Sequence, residues 1–139
     1  MESALKTLLL ITFIIAAITG MNLLFGGIIN VPGAETLPKE TIVSPAIDSE
    51  LRFLSVFWIF YGLFCLWVAT NIRIRGFFIP MIALIMLSAG LARLLSYCLA
   101  GHPGPVLFIA MIVELVLPVL LIAVNLKRIK SRALRETKG

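Results

Sequence analysis

The chain has 139 residues, of which 60% are hydrophobic and only 14% charged, with a mean hydropathy of +1.08. That balance lies outside the range of a soluble domain and makes lipid the solvent for most of the chain. The net charge of +5 invites comparison with nucleic-acid binders, but the cations gather beside apolar stretches with no aromatic platform among them, so nucleic acid is not expected as a partner.

The first apolar stretch, Leu8 to Ile29, predicts a helix over about residues 6–29. It outruns the 7 to 15 apolar residues of a typical signal-peptide core, roughly, and is read as an uncleaved anchor. Asn22 falls a turn or two from its far end. Residues 31–49 follow as the main extramembrane loop, where Pro32, Pro38 and Pro45 are expected to break regular helix and lay the loop across the mouth of the bundle.

A second helix over about 50–71 opens on DSELRF. Ser49 or Asp48 is expected to cap it, with Glu50 in its first turn, Arg52 in or just above the bundle, and Trp58 and Tyr61 farther along needing polar partners. A third helix is predicted over 76–100 and a fourth over 105–127, joined by the turn Gly101-His102-Pro103-Gly104. A basic cytoplasmic tail, 128–139, completes the chain.

Each helix has the roughly 20 residues that a bilayer core about 30 Å thick requires. Backbone polar groups in hydrocarbon must be satisfied within their own segment, so the spans are helices. The expected fold is all-α: one domain, 1–139, forming an integral-membrane four-helix bundle.

Cations of short loops stay on the cytoplasmic side. Lys6, Arg73, Arg75, Lys127, Arg128, Lys130, Arg132, Arg135 and Lys138 share one side if four helices alternate, whereas the opposite loop carries Glu35, Glu40, Asp48 and Glu50 against Lys39. The expected topology is N-in, C-in, and the tail doubles as a contact for anionic headgroups.

Cys65 and Cys98 fall at opposite depths, too far apart for a disulfide. With one histidine, His102, and no Cys/His cluster, neither metal nor cofactor is expected. No activated nucleophile is legible, which argues against an enzyme.

The residues that carry information are charges in the wrong solvent. Arg93 and Glu114 are flanked by apolar sequence, and a charge near the bilayer centre costs about 2.5 to 3.5 kcal/mol even on the lenient insertion scale. A hairpin folded about Gly101–Gly104 brings both to one depth, roughly 12 Å below the outer end at 1.5 Å per residue. They are expected to form a buried salt bridge or to share a polar ligand.

Gly90, Arg93 and Tyr97 share one side of the third helix, with Ser96 beside them. Pro118 cannot donate to the Glu114 carbonyl and is expected to kink the fourth helix or leave an open acceptor. Asn22, Arg52, Tyr61, Tyr97 and Ser96 are therefore expected to converge with Arg93 and Glu114 in the outer half of the membrane. Such a cluster serves either as packing glue between helices or as a pocket in which arginine receives an acidic or phosphate group.

DSELRF followed by W and YGL, GLARLLS in the third helix, and a glutamate with a following proline in the fourth resemble one bacterial family across nearly the whole chain. It is the set of four-helix inner-membrane proteins grouped as domain of unknown function 4345. The resemblance implies a multi-pass protein of the bacterial inner membrane and brings no established activity or catalytic residues.

Three functional readings follow. The first is a non-enzymatic protein that binds a lipid or fatty acyl ligand in an outer-leaflet-facing pocket and supports cell-envelope integrity. The second is an accessory subunit of a larger membrane complex such as an efflux pump, docking through small residues like Gly20, Gly26 and Gly27. The third is a small oligomeric proton-coupled transporter, although the four-helix multidrug class places its glutamate in the first helix, where this chain carries no charge after Lys6. The oligomeric state is left open by the sequence.

Overall fold

In the computed structural model, which describes residues 2–42 and 44–136, four helices are long and apolar enough to cross a membrane. In chain order the helices are α1 (Glu2–Gly26), a single turn α2 (Lys39–Ile42), α3 (Pro45–Thr70), a single turn α4 (Ile72–Arg75), α5 (Ile79–Ala100) and α6 (Pro105–Glu136). Short 3-10 turns at Gly27–Asn30, Ala34–Thr36 and Gly76–Phe78 complete the connections. No strand occurs among the described residues.

Proline starts helices here as often as it stops them. Pro45, Pro80 and Pro105 each occupy one of the first two positions of α3, α5 and α6, where a missing N–H costs nothing and the fixed φ suits the helix. This corrects the expected start of the second helix near residue 50. Ser44 holds the N-cap position, Asp48 lies in the first turn, and neither Ser49 nor Asp48 is the cap.

The far end of α6 corrects the other boundary, because the helix continues through the expected tail to Glu136. The run from Lys127 to Glu136 contains no glycine or proline and consists largely of good helix formers, so nothing stops propagation. Lys138 lies outside the described residues.

The molecule is two hairpins, α1 with α3 and α5 with α6, joined mainly where α6 meets α1. The buried face of α1 is Leu5, Leu9, Thr12, Ala16 and Gly20, a stripe at three- and four-residue spacing. A methyl group placed on Gly20 would lie 3.2 Å from the Ser55 carbonyl oxygen, and one on Gly62 would lie 2.9 Å from the Ala16 methyl. Small residues thus bring the backbones of α1 and α3 close enough to pack without a hydrophobic driving force, which lipid does not supply.

Gly27 is also internal, since a side chain there would run into Asp48 and Arg52. Of the glycines considered as an external docking face, Gly20 and Gly27 are buried, against α3 and its first turns, while half-buried Gly26 lies against the exposed Asn30 side chain.

Polar contacts tie the two ends. At one end the Arg73 Nε lies 3.3 Å from the Glu2 carboxylate, and the buried Arg128 donates from Nη1 to the Ile72 carbonyl at 2.6 Å. The start of α1, the α3–α5 connection and the late part of α6 thus meet at this basic end. Arg75 stacks over Trp67 there, 4.3 Å from the ring centroid, beside Phe64, Phe77 and Phe78. At the opposite end, residues 31–37 and 102–107 border a common open cavity of about 670 Å³.

The core belongs to the basic end. Buried Leu5, Leu9, Cys65, Val68, Ile79, Ile82 and Leu121 pack together, whereas every buried residue of α5 lies between Ile79 and Gly90. Beyond Gly90, α5 is exposed at every position to Ala100 save Arg93, which is half-buried. Cys65 is buried and Cys98 exposed, and both are free thiols.

Candidate functional site

Arg93 and Glu114 meet where the packed core of α5 gives out. The Arg93 Nε donates to the Glu114 Oε2 at 2.8 Å, joining α5 to α6 at one depth. Two local features permit the approach. The turn Gly101–Gly104 folds the hairpin, with both glycines at positive φ and the Gly104 amide donating to the His102 Nδ1 at 3.0 Å. Gly90 then removes the side chain that would separate the helices, because a methyl group there would lie 3.0 Å from the Glu114 backbone.

The two partners differ in exposure. The Glu114 side chain is 7% exposed and that of Arg93 is 42% exposed. The carboxylate is thus enclosed by protein, while the Arg93 side chain is only partly covered, and its Nη1 and Nη2 groups make no hydrogen bond among the described residues. Glu114 also lines a small cavity of about 50 Å³, shared with Thr12, Trp58, Met86 and Leu117 from the four long helices. Glu114 therefore sits at the junction of the whole bundle, and Arg93 at its edge.

Of the α5 stripe, Gly90 and Arg93 face Glu114, and Tyr97 reaches α6 one turn later, its ring 5.8 Å from Phe108 and 6.1 Å from His102. Ser96 is exposed and joins neither group.

The remaining residues make no hydrogen bond to the pair, each for a geometric reason. Asn22 lies two residues past Gly20, about 200° around the helix from the buried stripe. It is exposed and accepts from the Asn30 Nδ2 at 2.9 Å. Tyr61 is buried within electrostatic reach of Glu114, but its hydroxyl donates to the Ile82 carbonyl at 3.0 Å rather than to the pair.

Arg52 closes the end of α1. It donates to the Leu24 carbonyl at 2.6 Å and pairs with Asp48 at 2.6 Å, while Asp48 accepts from the Ile28 amide at 3.2 Å. The expected cluster is therefore divided among three sets of hydrogen bonds: a staple at Asp48–Arg52, a core tyrosine tie, and the Arg93–Glu114 pair.

Two polar positions were not legible in the sequence as internal groups. Arg128 sits in a run of surface-type cations, yet it is only 6% exposed and braces the α3–α5 connection. Asn125, one turn earlier, is buried as well. The Asp48–Arg52 pair did have a signal, the four-residue spacing that places two helical side chains side by side.

Comparison with the curated proteins and with the solved structures gives no match. A family model does match, described as Domain of unknown function (DUF4345), over residues 4–125. That range takes in all four long helices as far as Asn125, with both members of the Arg93–Glu114 pair, so the chain belongs to the DUF4345 family.

Proposed function

We propose that this protein is a non-enzymatic membrane receptor for an anionic amphiphile, a lipid or fatty acid, whose headgroup docks on Arg93 from the leaflet at the loop end. One observation carries the reading: Arg93 is held through its Nε by a buried glutamate while 42% of its side chain stays exposed, between apolar stretches of α5. A pair serving only as glue would gain by burying both partners, since a cation turned to hydrocarbon keeps its desolvation cost. Arginine suits this use because its remaining N–H groups form a planar fork that matches a carboxylate or phosphate.

The thinning of the core above Gly90 supports lateral entry, because exposed Leu91, Leu94 and Leu95 offer an apolar flank to the chain of such a ligand. Basic residues at the opposite end favour an orientation with both ends of the chain in the cytoplasm and the loop end outside. In a bacterial inner membrane the receiving leaflet would be the periplasmic one, and support of the cell envelope is the role we assign. Docking onto a larger complex through Gly20, Gly26 and Gly27 has less support, because those glycines face this protein's own residues. Proton-coupled transport would have to use Glu114, whose carboxylate is already engaged with Arg93.

The test is native mass spectrometry of protein extracted in a mild detergent. Replacing both charges with apolar groups, Arg93→Met with Glu114→Leu, leaves no uncompensated charge and is expected to preserve the fold. The wild type should carry a copurifying anionic lipid or fatty acid that the double variant has lost. Retention of the same adduct at the same occupancy in the double variant would refute the proposal.

A further inference from the structure

A second surface lies at the other end of the same hairpin. On the outer side of α5 and α6, Ala83, Leu84 and Leu87 face Pro118, Ile122 and Ala123 across a groove of about 460 Å³. Every side chain that lines it is apolar. Its volume lies within the roughly 300 to 1,000 Å³ typical of ligand sites. Small lining residues, Ala83 and Ala123, together with Pro118 leave room for the depression.

The groove runs into positive charge on the same helix face. Val119, Ala123 and Lys127 follow one another at four-residue intervals, and so do Ile122, Leu126 and Lys130. Side chains four apart stack along one side of a helix, so the two lysines continue the groove wall, Lys127 standing ~6 Å beyond Ala123 along the axis. Both lysines are exposed. Neither makes a hydrogen bond or ion pair among the described residues.

We infer that this groove binds an anionic phospholipid of the leaflet at the basic end, one acyl chain lying along Pro118 and the phosphate held between Lys127 and Lys130. The polarity of the surface selects the occupant. An apolar channel closed by two cations matches a molecule with a hydrocarbon chain and a negative head, and a zwitterionic lipid gains less from it. A second copy of this chain would bring its own lysines to the same place and be repelled. The site is in the opposite leaflet from Arg93 and does not depend on it.

Binding is measured by native mass spectrometry with phosphatidylglycerol and phosphatidylcholine of identical acyl chains, in the wild-type sequence and in the Arg93→Met/Glu114→Leu background. Lys127→Gln with Lys130→Gln should remove a preference for phosphatidylglycerol of up to about thirtyfold in both backgrounds, two basic residues contributing about 1 kcal/mol each. Ala123→Phe, which fills the groove, should weaken both lipids together. Circular dichroism checks that each variant is folded, as expected for substitutions at exposed positions.

An unchanged lipid preference in the lysine double variant, or unchanged binding in Ala123→Phe, would overturn the groove proposal. Failure of the Arg93 reading appears separately, as an adduct that survives in the Arg93→Met/Glu114→Leu chain.

Discussion

At the scale of single residues, the cost of a misplaced charge explains more of this protein than any motif does. Glu114 is enclosed and Arg93 is not, so the two single variants should behave differently. Glu114→Gln leaves a cation at apolar depth without its counter-charge and should lower stability by about 1 to 2 kcal/mol. Arg93→Met removes the exposed partner and leaves a buried carboxyl that can take up a proton, so its loss should be smaller. Unfolding in mixed micelles of mild detergent and dodecyl sulfate measures both, and equal losses would contradict the asymmetry.

Gly27 gives a second residue-scale prediction. It combines a φ of +61° with direct contact against Asp48 and Arg52. Gly27→Ala adds the penalty of about 1 to 2 kcal/mol for a left-handed non-glycine residue to the displacement of that ion pair. The same unfolding assay should register a loss larger than the backbone term alone.

At the scale of elements, close approach of α1 and α3 depends on Ala16, Gly20 and Gly62. Gly62→Leu forces the two helices apart near the Ala16 methyl and the Phe13 carbonyl, and overpacking of this kind costs about 1 to 3 kcal/mol. The α5–α6 hairpin holds itself through Gly90 and the Arg93–Glu114 pair, so it should stay protected. Hydrogen exchange on the Gly62→Leu variant is expected to rise in α1 and α3 before it rises in α5 and α6. Uniform loss across all four helices would show that the hairpins do not act as units.

The helix termini teach a related lesson about reading elements from sequence. Pro45, expected to break a helix, begins α3, and the charged run expected as a tail extends α6 to Glu136. In both places local propensity carries the helix past the apolar stretch. Hydropathy marks where lipid ends, while hydrogen bonding decides where a helix ends.

At the scale of the whole molecule, the start of α1, the late part of α6 and the α3–α5 connection gather at the basic end, leaving residues 31–37 and the Gly101–Gly104 turn at the other. The proposed orientation predicts that, in a chain with Cys65 and Cys98 replaced by serine, an impermeant maleimide applied to intact cells labels Thr36→Cys. It should not label Ser131→Cys until the membrane is opened. The reverse pattern would invert the orientation and move the Arg93 site to the cytoplasmic leaflet.

The four spans, their all-helical character and the meeting of Arg93 with Glu114 could be derived from the chain alone. Span length is set by the bilayer, and a short glycine-rich turn forces equal depth on residues placed nearly symmetrically about it. Tertiary structure decided what hydropathy is blind to, namely helix rotation and neighbour choice. Asn22 turned away, Arg52 closed the end of α1, and Arg128 was buried although its neighbours Lys127 and Lys130 stayed outside. An apolar helix in lipid has hydrophobic residues all round, so its buried face is chosen by small residues and hydrogen bonds across helices, which exist only once the partners have packed.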